Sequence, residues 1–307
     1  MPKTTPAKRS RTGQRNSHPR GAVKRRWLLI AGLVVVALAV SMVVWAVGRP
    51  ADRGGDAVET ASARIEHVHG LGVNPADGAL YAATHHGVFR IPDDGAAARV
   101  GDGQQDTMGF TIVGANHFIA SGHPAPDQGG PEHLGLIEST DGGLAWRSLS
   151  LAGGADFHAL RFRHGQVYGY NSVSGQLLVS RDRTNWQTRS TIAVRDFVVS
   201  PSSDQILLAT TQDGLVRSSD GGQTWAPLAG PTLALLDWER EDRLWGVSVI
   251  GEVLRSGDGG ATWSPAGHVP GAATALAAHG DELYVAVQER GIFHSTDAGT
   301  SWVQRIP

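Results

Sequence analysis

Short apolar runs that alternate with turn residues fill most of the chain beyond residue 65. Residues 195–230, RDFVVSPSSDQILLATTQDGLVRSSDGGQTWAPLAG, show the arrangement: four runs rich in aliphatic and β-branched residues are separated by Gly, Asp, Ser and Pro. Runs of this length with these boundaries predict strands joined by tight turns. Each such stretch therefore predicts a four-stranded antiparallel meander.

The meander recurs at a nearly constant interval along the chain. Its best-marked feature is the pattern Ser-x-Asp-x-Gly-x-Thr-Trp, whose serines are 41, 38, 38 and 39 residues apart. The copies are STDGGLAW (139–146), SRDRTNW (180–186, one residue short), SSDGGQTW (218–225), SGDGGATW (256–263), STDAGTSW (295–302) and an eroded IPDDGAAA (91–98). Six units in 243 residues give about 40 residues each, the usual size of a propeller blade. The repeat predicts an all-β, six-bladed β-propeller at 65–307.

The longest apolar run, WLLIAGLVVVALAVSMVVWAVG at 27–48, contains 22 residues and no charge. At about 1.5 Å per residue, a helix of this length crosses the roughly 30 Å hydrocarbon core of a bilayer. Trp27 and Trp45 lie near its ends, where aromatic residues favour the interface. A cleaved signal peptide is the alternative, but its apolar region usually has only about 7–15 residues. We predict an uncleaved transmembrane signal-anchor helix.

Charge is unevenly distributed on the two sides of this run. Residues 1–26 contain nine Lys or Arg and no acid, which predicts a cytoplasmic tail. The remaining chain has 18 basic residues against 29 acidic ones, a net charge of −11, which argues against a nucleic-acid partner. Residues 49–64 are polar, small and Gly-containing, and predict a flexible linker. The expected arrangement is a single-pass protein of the plasma membrane with an extracytoplasmic propeller.

The repeat resembles the Asp-box, or BNR repeat, found in sialidases, sortilin-type receptor domains and photosystem II assembly factors. The resemblance covers residues 65–307, and with the N-terminal anchor the layout is similar to bacterial sialidase-like or glycosyl-hydrolase-like proteins. It implies a fold rather than a function. Residues 89–92, FRIP, resemble a sialidase motif whose Arg binds the substrate carboxylate, but here they lead into the eroded box, so Arg90 is expected near the wrong rim.

The boxes themselves are expected to be structural. Each lies in the turn between the third and fourth strands of its blade, so neighbouring aspartates are far apart on the ring. Short Asp and Ser side chains hydrogen-bond turn backbone, Gly supplies a positive φ, and Trp buries a large apolar surface. The residues concerned are Asp141, Trp146, Asp182, Trp186, Asp220, Trp225, Asp258, Trp263, Asp297 and Trp302.

The candidate functional residues lie on the rim opposite the boxes, which we call the top rim. The first strand of each blade starts at this rim, and the chain returns to it after the second strand. Blade two has a long second-to-third strand connection at 123–135, and such loops are typically functional. The predicted ligand-binding residues, all from blades one to three, are His67, His69, His85, His86, His123, Glu132, His133, Asp156 and His158.

Three of these histidines form the predicted metal set. In a strand, residues i and i+2 project to the same side, so His67 and His69 are expected to face together, with His158 from blade three joining them. Two or three imidazoles with an optional carboxylate suit a divalent transition metal such as zinc or copper. A small organic ligand or glycan, or a purely structural polar network, remains an alternative. The chain has no cysteine, so thiolate ligands, disulfides and a cysteine nucleophile are excluded.

Three functions follow from these observations. The first is a membrane-tethered propeller that binds a ligand, metal ion or partner protein through its top rim and performs no chemistry. The second is a glycoside hydrolase, for which Glu66, Asp106, Glu132 and Asp156 are the available top-rim carboxylates. The third is an assembly factor for a membrane complex. The first is preferred because no catalytic acid–base pair can be assigned from the sequence.

Overall fold

The computed structural model describes residues 65–93 and 96–307. The predicted tail, membrane span and linker at 1–26, 27–48 and 49–64 lie outside these residues, as does part of the eroded box. Over the described ranges, no helix has both the length and the apolar character that crossing a membrane requires.

The described residues form six four-stranded antiparallel sheets, each built from four consecutive strands. The first three sheets contain β1 (Val68–Val73), β2 (Leu80–Thr84), β3 (Gly87–Ile91) and β4 (Ala98–Arg99); β5 (Asp106–Gly114), β6 (His117–His123), β7 (Leu136–Ser139) and β8 (Arg147–Ser150); and β9 (Phe157–Arg163), β10 (Gln166–Asn171), β11 (Gln176–Ser180) and β12 (Gln187–Thr191). The last three contain β13 (Asp196–Val199), β14 (Leu207–Thr211), β15 (Gly214–Ser218) and β16 (Ala226–Leu228); β17 (Leu233–Arg240), β18 (Arg243–Ser248), β19 (Glu252–Ser256) and β20 (Ser264–His268); and β21 (Ala273–His279), β22 (Glu282–Val287), β23 (Gly291–Ser295) and β24 (Val303–Ile306). The prediction of a six-bladed, all-β propeller is confirmed.

The first strand of every sheet lies at the centre of the ring. β1 lies beside β5, β5 beside β9, and so on to β21, which lies beside β1. Because no strand is exchanged between sheets, the ring closes by packing of blade six on blade one. Polar contacts support this closure: Arg305 Nη2 donates to the Pro92 carbonyl at 2.7 Å and to Asp93 Oδ1 at 2.6 Å.

Six apolar clusters fill the interfaces between neighbouring blades. In the cluster between blades one and two, the ring centroid of Phe118 lies 5.0 Å from that of Tyr81 and 5.5 Å from that of Phe110, both edge-on. Aromatic pairs in this geometry contribute about 0.5–1.5 kcal/mol each beyond their buried area. A chain without disulfides is thus held together by apolar contacts between successive blades.

Five well-marked box turns lie at the bottom rim, and four of them share one hydrogen-bond pattern; in blade three, whose box is one residue short, Asp182 accepts Thr184 N–H and Asn185 N–H instead. In blade five, the buried Ser256 Oγ accepts the Gly260 N–H at 2.8 Å, and Asp258 accepts the backbone N–H and hydroxyl of Thr262 at 2.9 and 2.6 Å. The same contacts recur in blades four and six, and in blade two without the hydroxyl, because Ala145 stands in for Thr. The aspartates therefore serve their own turns.

A β-bulge marks the top-rim end of the first strand in five of the six blades. Between Val68 and Gly70, for example, the pairing of β1 with β2 skips one residue, so that one side chain has no partner opposite. The skipped residues are His69, Met108, His158, Ala234 and Thr274. Bulges bend a strand and re-aim a side chain. Blades one and three thus present a re-aimed imidazole at the mouth of the central channel.

Candidate functional site

Two groups of metal-ligating side chains lie at the top rim of blades one to three. We call His69, His85 and Asp106 the first trio, and His123, His133 and Asp156 the second trio. In each trio, one nitrogen or oxygen atom from every member lies within 4.8 Å of the others. These are the groups of this kind found within 65–93 and 96–307.

The first trio joins three segments of blades one and two. His69 is the bulge residue of β1, His85 lies in the turn between β2 and β3, and Asp106 begins β5. Asp106 Oδ1 lies 2.8 Å from His85 Nδ1 and 3.7 Å from His69 Nε2, and the two nitrogens are 3.4 Å apart. The 2.8 Å approach lacks hydrogen-bond alignment, so this buried oxygen has no hydrogen-bond partner in the part of the chain that the structure describes. Three ligand atoms therefore converge without satisfying Asp106.

Electrostatics keep His69 uncharged. Burial, followed by the neighbouring His85 imidazole, lowers the pKa of His69 to about 4 from its ordinary 6.5, although the Asp106 carboxylate opposes this shift. At neutral pH the ring is thus neutral and retains an unprotonated nitrogen. This is the form in which histidine binds metal ions.

The second trio joins blade two to blade three. His123 ends β6, His133 lies in the connection between β6 and β7, and the 3%-exposed Asp156 precedes β9. His123 Nδ1 lies 3.0 Å from the Glu132 carbonyl oxygen. Because a carbonyl only accepts, Nδ1 carries a hydrogen, and the other ring nitrogen, Nε2, lies 3.5 Å from Asp156 Oδ2.

Neighbouring side chains hold Asp156 in a fixed orientation. His158 Nε2 and Ser172 Oγ both donate to Asp156 Oδ2, at 2.7 and 2.9 Å. Burial is the largest single influence and opposes ionisation of Asp156, but the hydrogen bonds and charges of its neighbours, His158 first, together outweigh it and lower the pKa of Asp156. Its other oxygen, Oδ1, is buried and has no hydrogen-bond partner within the described residues.

The remaining predicted residues have different environments. His67 is exposed, has a φ of 51° and precedes β1, so strand alternation does not pair it with His69. Its ring nevertheless lies 5.0 Å from that of His85, which His69 approaches to 4.5 Å. His86 is exposed and belongs to neither trio. The predicted metal set of His67, His69 and His158 stays a prediction. In the structure His69 belongs to the first trio, the ring of His67 contacts that of His85, and His158 hydrogen-bonds Asp156.

Asp106 is the site residue that sequence reasoning left out of its binding set. The sequence placed it at the top rim only as a hydrogen-bond partner or hydrolase carboxylate. Its position depends on register: Asp106 is paired with His123 across β5 and β6, immediately before the bulge at Met108. One feature of the sequence could have indicated this role. Asp106 stands at the start of the first strand of blade two, and the first strands of blades one and three carry histidines near their starts.

Below the top rim, the polar groups of the central channel satisfy one another. Asp196 accepts Arg161 Nη2 at 2.6 Å and the backbone N–H of Leu236 at 2.9 Å, which connects blades three, four and five. Burial raises the pKa of Asp237 to about 6, and its carboxylate accepts the Ala278 N–H at 3.1 Å. These groups line cavities of about 60 and 230 Å³ and act as cross-links between blades.

The FRIP segment contacts the opposite end of the propeller. Arg90 Nε donates to Asp77 Oδ2 at 2.6 Å in the turn between β1 and β2. This turn is at the bottom rim, so Arg90 does not reach the trios. The geometry offers no sialidase-like role for this arginine.

Comparisons with known proteins support the fold. No family model matches the sequence, and no curated protein matches it. Among solved structures, the nidogen/laminin complex matches with a TM-score of 0.58 and 13% identity over 70% of this chain and 88% of that one. A gluconolactonase from Xanthomonas campestris matches with a TM-score of 0.58 and 14% identity over 72% and 83%. An ancestral GH74 enzyme matches with a TM-score of 0.50 and 15% identity over 78% of this chain but 39% of its own. At these identities the likeness shows the β-propeller fold alone.

Proposed function

We propose that this chain is a membrane-tethered, extracytoplasmic propeller that binds a divalent transition-metal ion through His69, His85 and Asp106. The observation that carries the proposal is the convergence of their three ligand atoms at a buried carboxylate oxygen that has no hydrogen-bond partner within 65–93 and 96–307. The membrane tether rests on the sequence of residues 27–48.

The spacing of the ligand atoms fits a zinc-sized ion. Zinc bonds to imidazole and carboxylate of about 2.0–2.2 Å place the ligand atoms of a tetrahedral site roughly 3.3–3.6 Å apart. Of the observed separations, 3.4 Å lies in that range, 3.7 Å lies just above it and 2.8 Å lies below it, so metal binding would widen the His85–Asp106 contact. Three protein ligands leave a fourth position for water or for a bound molecule. The donor set of two imidazoles and one carboxylate also suits Cu²⁺.

The surroundings of the carboxylates favour metal binding over glycoside hydrolysis. A retaining glycosidase needs two carboxyl groups about 5–5.5 Å apart on either side of the scissile bond. Asp106 faces His69 and His85, and Asp156 faces His123 and His158, so each carboxylate is surrounded by imidazoles. This arrangement resembles a ligand shell more closely than an acid–nucleophile pair.

Zinc titration of the purified, metal-stripped full chain tests the proposal. The wild type is expected to bind zinc at the first trio, and Asp106→Asn should remove one zinc equivalent or weaken that site at least about tenfold, since even loss of an outer-shell partner costs 10–100-fold. Asp77→Asn at the bottom rim is the matched control and should bind as the wild type does. Equal zinc content and affinity in Asp106→Asn and the wild type would overturn the proposal.

A further inference from the structure

We infer that the second trio is a second, separate metal site, in which the ion fastens the long β6–β7 connection to blade three. The inference rests on the proposed function for its choice of ion. It deepens that function, because it gives metal binding a structural consequence at the top rim.

The connection between β6 and β7 is exposed over most of its length. Residues 126–132 are exposed throughout, and this stretch contains no strand. Within it the Gln128 N–H donates to the Ala125 carbonyl at 2.9 Å, and at its end the His133 carbonyl accepts the Gly153 N–H at 2.8 Å. An ion held by His133 and Asp156 would add a side-chain cross-link to blade three beside these backbone bonds.

The orientation of His123 suits metal ligation. With Nδ1 donating to the Glu132 carbonyl at 3.0 Å, Nε2 faces Asp156 Oδ2 at 3.5 Å. A hydrogen bond from the other ring nitrogen to a backbone carbonyl is also the usual way in which a ligating histidine is oriented.

Two more atoms of the trio lack partners. Nδ1 of His133 and Oδ1 of Asp156 are buried and have no hydrogen-bond partner within the described part of the chain. His158 and Ser172 already donate to the other Asp156 oxygen, so they fix the carboxylate without satisfying Oδ1. Leaving buried polar atoms without partners is unfavourable. A purely structural polar network would be expected to satisfy them.

The two sites are neighbours that share no ligand. Asp106 of the first trio is directly paired with His123 of the second across β5 and β6. Residues paired in this way have Cα atoms about 4.5–5.5 Å apart. Each site can therefore be removed by a substitution that leaves the ligands of the other intact.

The test combines zinc stoichiometry with hydrogen–deuterium exchange in the full chain, with zinc as the only added ligand. The wild type is expected to bind two zinc ions, and zinc should slow amide exchange in residues 124–135 at least about tenfold. His133→Ala should bind one ion and lose this slowing, whereas Asp106→Asn should also bind one ion but keep it. Since His133 lies in a connection, its metal-free variant should melt within a few degrees of the wild type.

The outcomes separate this inference from the proposed function. If His133→Ala binds as much zinc as the wild type while Asp106→Asn loses one ion, the second site is overturned and the first stands. If Asp106→Asn is unaffected while His133→Ala loses one ion and the slowing, the second site stands and the first is overturned. Zinc binding at His133 without slower exchange in 124–135 would overturn the fastening role.

Discussion

The two rims of the propeller use aspartate in opposite ways. At the bottom rim, Asp258 accepts two hydrogen bonds from Thr262 within its own turn, and Asp220 and Asp297 do the same in blades four and six. At the top rim, Asp106 and Asp156 each keep a buried oxygen that has no hydrogen-bond partner among the described residues. A buried acceptor without a hydrogen-bond partner lowers the free energy of unfolding by about 1–3 kcal/mol. The aspartates of the box turns therefore stabilise the fold, whereas Asp106 and Asp156 carry oxygens that do not.

The blades share a backbone feature at the top rim but differ in the side chains that it carries. The bulge at the start of the first strand is a backbone feature of both halves of the ring. In blades five and six it carries Ala234 and Thr274, but in blades one and three it carries His69 and His158. The bulge is therefore a feature of the fold, whereas the imidazoles that it carries in blades one and three are features of the candidate site.

Acid should affect the bottom rim most, because several box turns lose their acceptor at once. The pKa of three box aspartates is lowered to about 2, first by the hydrogen bond from the Thr or Ser hydroxyl four residues later. They are Asp220, Asp258 and Asp297. A lowered folded-state pKa means that the unfolded chain binds more protons between pH 4 and 2. The melting temperature should therefore fall as the pH drops through this window.

The variant Asp258→Asn tests how much one box carboxylate contributes to this acid sensitivity. It keeps the shape of the side chain but cannot titrate, so its melting temperature should fall less steeply between pH 4 and 2 than that of the wild type. Both proteins should respond alike between pH 5 and 8. An identical slope in the two proteins below pH 4 would show that this carboxylate does not stabilise the turn.

Removing the serine at the start of a box should be the largest single-residue effect. Ser256→Ala leaves the Gly260 N–H without its acceptor in a buried turn. We expect the free energy of unfolding to fall by about 1–3 kcal/mol, the cost of an unsatisfied buried group. Urea denaturation measures this free energy. The control is Ser264→Ala at an exposed position of β20, which should change the free energy of unfolding by less than about 0.5 kcal/mol. Equal effects at both serines would contradict the role given to the box.

Blade six departs from the box pattern at Ala298, and reverting it should stabilise the protein. Ala298 has a φ of 57°, where the equivalent Gly259 of blade five has 71°. The left-handed conformation costs an alanine about 1–2 kcal/mol, partly offset by the greater chain entropy of an unfolded glycine. Ala298→Gly should raise the free energy of unfolding by about 0.5–1 kcal/mol. Ala261→Gly, at a position without positive φ, should lower it by a similar amount.

The fold could be predicted because its determinants are local and repeated. Alternating runs, turn residues and a box every 38–41 residues define six meanders, and the structure has six sheets in that order. The predicted rims follow from strand order alone. Strand alternation does not govern His67 and His69, because the strand begins at Val68 and a bulge follows it.

The composition of each trio depends on register, which residue types do not reveal. The bulge positions hold His, Met, Ala and Thr, so the residue type does not identify a bulge position in the sequence. Alignment of the blades put His69 and His85 on one rim, and the structure brings them into the same trio. It could not place Asp106 beside them, because that contact depends on how β5 pairs with β6 and packs against blade one.

The smallest expected effect is the sharpest test of the contrast between the rims. In metal-free protein, Asp106→Asn removes a charge but no aligned hydrogen bond from Oδ1, and an amide has nearly the shape of a carboxylate. The free energy of unfolding should therefore change by less than about 0.5 kcal/mol, as for substitutions that break no structural contact. Urea denaturation in the presence of a chelator measures this value beside that of Ser256→Ala. A loss of more than about 1 kcal/mol would mean that Asp106 stabilises the fold as the box residues do, and that the two rims do not differ in the way described above.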